Sequence, residues 1–228
     1  MNNILGKMVI YKNKNWSKSI SDLLNLTVRG ILINNKDCSI ILTGGKSAQE
    51  IYKKWFKQME DLNAKISFYL GDERMIEKNH LDSNYKMVND LLNKNKEWDL
   101  HRVKTEINLR KSVFIYNKLL NITPDILLLA VGDDGHIASI FPSKNNNYNT
   151  KRNFVLSKCN KHKYLRGTIT PKFITKAKRI FIFVKGAKKG KIVNKMIKNP
   201  YNQYLLPGCL ALTGTWLFDE AAYECLDR

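Results

Sequence analysis

The sequence predicts an α/β fold: one doubly wound, Rossmann-like domain over residues 1–228, with a mainly parallel sheet flanked by helices. Three observations predict it. Apolar runs of strand length alternate with stretches of helical periodicity, the pattern of stacked βα units. One run, Ile126 to Val131, is apolar without a break, as a strand buried on both faces requires. Glycine-bearing polar segments follow several runs, at the strand ends where open parallel sheets bind ligands.

The first strand is expected over Lys7 to Tyr11 and the second over Ser39 to Leu42. After Ser47, Ala48, Ile51 and Trp55 recur at spacings of three and four, so a helix begins there and buries one face. A third strand, Lys65 to Leu70, leads into Gly71-Asp72-Glu73-Arg74. Ser83 is placed to cap a helix carrying Tyr85, Val88 and Leu92 on its inner stripe. The run Ile126 to Val131 is the central strand, and Arg179 to Lys185 and Thr215 to Phe218 complete the set. Ser143 to Arg152 and Asn199 to Gln203 read as loops, and no repeat or heptad run interrupts the βα alternation.

Composition narrows the class. A content of 43% hydrophobic and 26% charged residues is that of a soluble globular protein. Cys38, Cys159, Cys209 and Cys225 are scattered without a C-x-x-C pair, which suggests neither a disulfide framework nor a structural metal site. No export signal or membrane-length apolar run is read, so a cytoplasmic protein is expected. The net charge of +19 raises the question of nucleic acid. Only eight of the 39 basic residues are arginine, and the lysines are spread along the chain beside many asparagines, so no nucleic-acid partner is expected. A positive field would instead steer a small anion toward a site.

Four segments place chemistry after strands. Val131-Gly132-Asp133-Asp134-Gly135-His136 brings a carboxylate and an imidazole into a glycine-punctuated loop. Thr43-Gly44-Gly45 precedes a helix start, where free amides and the helix dipole favour an anion; it is neither a Walker loop nor G-x-G-x-x-G. Arg74 can offer a fork of hydrogen bonds to phosphate while Asp72 faces polar parts of a ligand. Arg166-Gly167-Thr168-Ile169-Thr170 and Gly186-Ala187-Lys188-Lys189 supply further positive charge.

In this order the segments resemble the 6-phosphogluconolactonase family, which is related to the glucosamine-6-phosphate isomerases. The resemblance rests on Gly44-Gly45, Gly71-Asp72-Glu73-Arg74 with Ser83-Asn84, Gly132 through Pro142, Arg166 to Thr170, Gly186 to Lys189 and Trp216-Leu217-Phe218-Asp219. The chain departs from the family pattern at Lys46, where a small hydroxyl residue is usual, at Lys163-Tyr164-Leu165, where prolines are usual, and after Pro142, where a glycine is usual.

The sister isomerases also carry Asp-Gly-His, so the residues that follow have to discriminate. The isomerase pattern H-I-A-F-N-E-P has a glutamate where this chain has Phe141, and an apolar ring cannot move protons. Arg74 also sides with the lactonases. The resemblance therefore implies hydrolysis of 6-phosphoglucono-1,5-lactone, with no metal and no cofactor required. His136 would act as general base, and Asp134 or Asp72 would organise it; spacing does not choose between the two carboxylates. Arg74, Arg166 and Lys189, with the amides of Gly44 and Gly45, would hold the phosphate. The partner is then a small phosphosugar lactone, and the assembly a monomer or small homo-oligomer.

Overall fold

The computed structural model describes residues 5–92, 97–143 and 150–227. Seven parallel strands form the main sheet: β1 (Lys7–Tyr11), β2 (Asp37–Leu42), β3 (Lys65–Leu70), β5 (Trp98–His101), β6 (Ile126–Ala130), β9 (Ile180–Val184) and β10 (Thr215–Asp219). Their spatial order is β1-β10-β9-β6-β2-β3-β5. A small antiparallel sheet is made of β4 (Asp72–Arg74), β8 (Arg166–Ile169) and β7 (Phe154–Ser157), in that order.

Alternation along the central strands explains why the sheet needs cover on both faces. Leu127 and Leu129 of β6 join one apolar core, and Ile126 and Leu128 join the other. Ile182 and Val184 against Phe181 and Phe183 in β9 divide the same way, because successive side chains of a strand point to opposite faces. One face is covered by α1 (Trp16–Leu32) and α2 (Lys46–Gln58), whose buried stripes are Trp16, Ile20, Leu24, Val28 and Ile31, and Ala48, Ile51, Tyr52, Trp55 and Phe56. The other is covered by α4 (Leu109–Leu119), α5 (Pro171–Ile174), α6 (Ala187–Lys198) and α7 (Glu220–Tyr223). The short α3 (Asn84–Asn89) packs Val88 against the first of these layers.

The strand order contains the feature that positions the site. From β2 the chain winds outward through β3 to β5, then returns to β6 beside β2 and winds the opposite way through β9 and β10. The loops leaving β2 and β6 therefore diverge and leave a crevice at their carboxyl ends, the usual ligand position in such sheets. Tyrosines pin two of the exits. Tyr52 Oη accepts from Thr43 N and donates to Thr43 O, both at 3.0 Å. Tyr116 Oη accepts from Leu70 N at 2.6 Å and donates to Leu70 O at 3.0 Å. Each phenol satisfies a peptide that has run past its sheet partner, and burial raises both phenols' pKa.

All six expected strands are present, two with the expected ends and four with an end shifted by one or two residues. β6 stops at Ala130, and Val131 makes only an isolated bridge to Ile137. The helix expected after Ser47 starts at Lys46, and Ser83 caps α3 by accepting from Lys86 N. Leu92 lies beyond that helix, which ends at Asn89, so the expected stripe is cut short. Strands β4, β5, β7 and β8 were not expected: they are three or four residues long, and β4 consists of three consecutive charged residues. Of the loop expected over Ser143 to Arg152, residues 144–149 lie outside the described residues.

Candidate active site

The crevice opens into a cavity of about 640 Å³ at the carboxyl ends of the strands. Its walls include Gly44, Gly45, Asp72, Arg74, Asp134, His136, Arg166 and Lys189, so every site residue expected from the sequence faces one space. Thr43, Asn84, Ser139, Phe141, Lys161 and His162 also line it.

The loop after β6 is wound tightly to present the imidazole. Gly132 N–H donates to His136 O at 2.8 Å, and Gly135 adopts φ +90°, in the region that favours glycine. The ring of His136 lies on Gly132: a Cβ there would stand 2.1 Å from its Cε1 and Nδ1, a distance no side chain tolerates. Asp134 turns back onto the same histidine. Its Oδ1 lies 2.5 Å from His136 Nδ1 and accepts from His136 N at 3.1 Å. Burial pushes the Asp134 carboxyl up, but the hydrogen bond and charge of His136 outweigh burial and hold it at about 2. An ionised Asp134 fixes the proton on Nδ1 and leaves Nε2 as the lone-pair nitrogen.

Asp72 has its partners elsewhere. It accepts from Ser139 Oγ at 2.5 Å, while Asn84 Nδ2 donates to its carbonyl at 2.9 Å and to its Oδ1 at 3.3 Å. Ser139 reaches it because Ala138 takes a left-handed conformation, φ 49°, uncommon for a residue with a Cβ. Ser139 N also donates to Thr168 Oγ1 at 3.0 Å, so Asp72 ties the histidine loop to the small sheet. Between the two carboxylates that spacing left open, it is therefore Asp134 that touches the imidazole.

The small sheet brings two cations together. Arg74 and Arg166 stand opposite each other in the antiparallel register of β4 and β8. Among the described residues the Nε atoms of both are buried without a hydrogen-bond partner, a costly state that an anion in the cavity would relieve. Burial and then the neighbouring Arg74 lower the pKa of Arg166. Glu73, between Asp72 and Arg74, points the other way and accepts from Arg74 N, Asn84 N, Tyr85 N and Ser83 Oγ. Its bonds to Ser83, Asn84 and Tyr85 anchor the start of α3, and burial raises its pKa.

Two helices begin beside the cavity with glycine caps. Gly45 (φ +100°) precedes α2 and Gly186 (φ +90°) precedes α6, and neither cap has a side-chain acceptor for the first free amides. Lys189, in the first turn of α6, faces the cavity, and burial lowers its pKa. Gly44 is compelled by Asn84: a Cβ there would stand 2.2 Å from Asn84 Oδ1. Lys46 is exposed and does not line the cavity.

Sequence reasoning missed Lys161 and His162, which reach the site from the turn between β7 and β8. In a lysine-rich loop that matches no pattern, nothing in the sequence marked them. Asp134, His136 and His162 form a group with donor atoms within 4.8 Å of one another, close enough to bind a cation. The same space is faced by Arg74, Lys161, Arg166 and Lys189, whose charge opposes one.

The family model described as glucosamine-6-phosphate isomerases/6-phosphogluconolactonase matches residues 12–216. The chain belongs to this family. Among its relatives, the 6-phosphogluconolactonase of Haemophilus influenzae is 29% identical over 207 residues, covering 84% of this chain and 89% of that protein. That of Helicobacter pylori strain J99 is 30% identical over 174 residues, 72% of this chain and 75% of its own. The crystal structure of the Thermotoga maritima 6-phosphogluconolactonase superposes with a TM-score of 0.81 at 21% identity, covering 93% of this chain and 98% of that one. A monomeric glucosamine-6-phosphate deaminase does nearly as well, with a TM-score of 0.79 at 17% identity over 96% of this chain and 99% of its own. The fold of the family is thus shared by both chemistries, and the site residues have to choose between them. Among the described residues, no helix is long and apolar enough to cross a membrane.

Proposed function

We propose that this chain is a 6-phosphogluconolactonase, hydrolysing 6-phosphoglucono-1,5-lactone to 6-phosphogluconate. The observation that carries the reading is the Asp134–His136 pair beside a buried Phe141, with the two arginines across the same cavity. Phe141 is 3% exposed and its ring centroid lies 5.2 Å from that of His136. It fills the place where the isomerase pattern has its proton-transferring glutamate, so the site retains one general base. The named relatives are 6-phosphogluconolactonases, which favours the same choice.

In this reading Arg74 and Arg166, Lys189 and the amides at Gly44 and Gly45 hold the phosphate and fix the lactone against the imidazole. His136 Nε2 takes a proton from water as the water oxygen bonds to C1 and the carbonyl π electrons move onto oxygen. The positive surroundings stabilise that oxyanion. As the carbonyl re-forms, the bond from C1 to the ring oxygen breaks, and the imidazolium returns its proton to that oxygen. Asp134 stays ionised throughout and stabilises the imidazolium. No step calls for a metal or a redox cofactor. The free thiols suit a reducing compartment, so the cytoplasm is the expected location.

The test is the rate of lactone opening by the purified protein against the spontaneous rate. Acceleration that largely disappears in His136→Ala, with the fold intact by circular dichroism, is expected. A wild-type rate equal to background overturns the reading, as does release of ammonia from glucosamine 6-phosphate in its place.

A further inference from the structure

His162 lies in the turn between β7 and β8 and lines the cavity. Its ring stacks on Phe141, with centroids 4.6 Å apart and planes 29° apart, and meets the ring of His136 edge to face at 5.8 Å. Its backbone is held by a turn in which His162 N donates to Cys159 O at 3.0 Å. Phe141 therefore packs against both imidazoles, and the three rings form one cluster. A ring nitrogen of His162 lies within 4.8 Å of one of His136. One oxygen hydrogen-bonded to two nitrogens at about 2.8 Å, with a tetrahedral angle, separates them by about 4.6 Å.

We propose that His162 is a second catalytic residue of this chain: the attacking water is held between the ring nitrogens of His136 and His162. The proposal rests on the lactonase reading above. The water donates one hydrogen to each imidazole, which leaves a lone pair directed at C1 of the bound lactone. His136, oriented by Asp134, takes one proton during attack; His162 keeps its hydrogen bond to the other and sets the direction of approach. The proton on His136 goes to the departing ring oxygen, and the hydrogen shared with His162 remains on the product carboxyl group until solvent removes it.

Acceptance by His162 requires an uncharged ring. Burial first, then His136 whenever it is protonated, Arg166, and Arg74 more weakly, lower the pKa of His162, with Asp134 opposing them. Lys161 of the same turn lines the same cavity and acts in the same direction. The wall that holds the anionic substrate thus also favours the uncharged form of the second imidazole.

The test compares wild type, His162→Ala and His162→Gln at several lactone concentrations from pH 5 to 7.5, with a metal chelator present. His162→Ala is expected to lower kcat about 10- to 50-fold with KM within about twofold, because water and not substrate loses its support. His162→Gln keeps an acceptor and is expected to recover part of that loss. On the acid side, log kcat of the wild type should fall with a slope approaching about 2, since two rings have to be uncharged, and that of His162→Gln with about 1. An active wild type whose kcat survives His162→Ala overturns the role of His162 and leaves the lactonase reading standing. Equal slopes overturn it too, and so does loss of wild-type activity to the chelator, which would put a cation in the gap. A wild type with no lactonase activity at all overturns both.

Discussion

The Nδ1 atom of His136 lies 2.5 Å from Oδ1 of Asp134, and among the described residues no other carboxylate is hydrogen-bonded to that ring. The pair sets the tautomer: while Asp134 is ionised, the imidazole proton sits on Nδ1 and Nε2 is left as the base. Asp134→Asn keeps the shape and offers an amide donor in its place, which favours the other tautomer. We expect kcat to fall about 10²- to 10⁴-fold with little change in KM, measured by initial rates of lactone opening.

Gly132 supports the same ring from below. A Cβ at that position would overlap Cε1 and Nδ1 of His136 at 2.1 Å, so Gly132→Ala has to push the imidazole off its place. The ring is partly exposed and can swing toward solvent, so the cost falls on activity more than on stability. The expected result is at least a tenfold loss of kcat with a melting temperature within a few degrees of wild type; a fully active variant would show that the ring has another productive position.

How much of this was legible in the sequence depended on the length of the elements. Ile126 to Val131 and Ala48, Ile51 and Trp55 announce themselves because burial on a sheet or helix face imposes a period over several turns or pairs. The small sheet did not, because β4 is three residues long and Asp72, Glu73 and Arg74 look like a solvated turn. Only its pairing with β8 makes Arg74 a neighbour of Arg166 and sends Glu73 back into the protein. The same limit applied to the choice between Asp72 and Asp134: Ser139 and Asn84, which claim Asp72, come from other loops. His162 was invisible for the plainest reason, since a lone histidine in a turn has no periodicity to reveal which way it points.

Arg74 and Arg166 share one face of the cavity and have buried Nε groups awaiting an acceptor. Charge-assisted hydrogen bonds from such a pair contribute about 1.5–3 kcal/mol each, which corresponds to about 10- to 100-fold in affinity. Either arginine changed to Ala is expected to raise KM by about that factor while kcat falls less. Arg74→Lys should recover little, because an ammonium cannot reproduce the fork. An unchanged KM for both Ala variants would remove them as phosphate holders.

Glu73 offers a stability test separate from catalysis. It is 1% exposed and accepts from three backbone amides and the Ser83 hydroxyl, which together fix the start of α3. Glu73→Ala strips all four donors of their acceptor and should cost about 3 kcal/mol in urea unfolding, and Glu73→Gln less because one oxygen remains. Asn84 would then loosen its hold on Asp72, so a modest rise in KM is expected to accompany the loss.

The Asp134 carboxyl predicts how stability responds to acid. Its pKa is held at about 2 in the folded chain, against about 3.9 for an aspartate in an unfolded one. A depressed folded value means that the unfolded state takes up the proton first. The contribution of Asp134 to stability is therefore complete above about pH 4 and is lost as the pH falls toward about 2. With 34% of its side chain exposed, solvent screens the interaction, so the contribution is modest. Urea midpoints measured from pH 6 to pH 2 should show Asp134→Asn less stable than wild type at the upper end, with the difference shrinking steadily below about pH 4. A difference that stays constant across this range would mean that the ion pair with His136 does not form in solution.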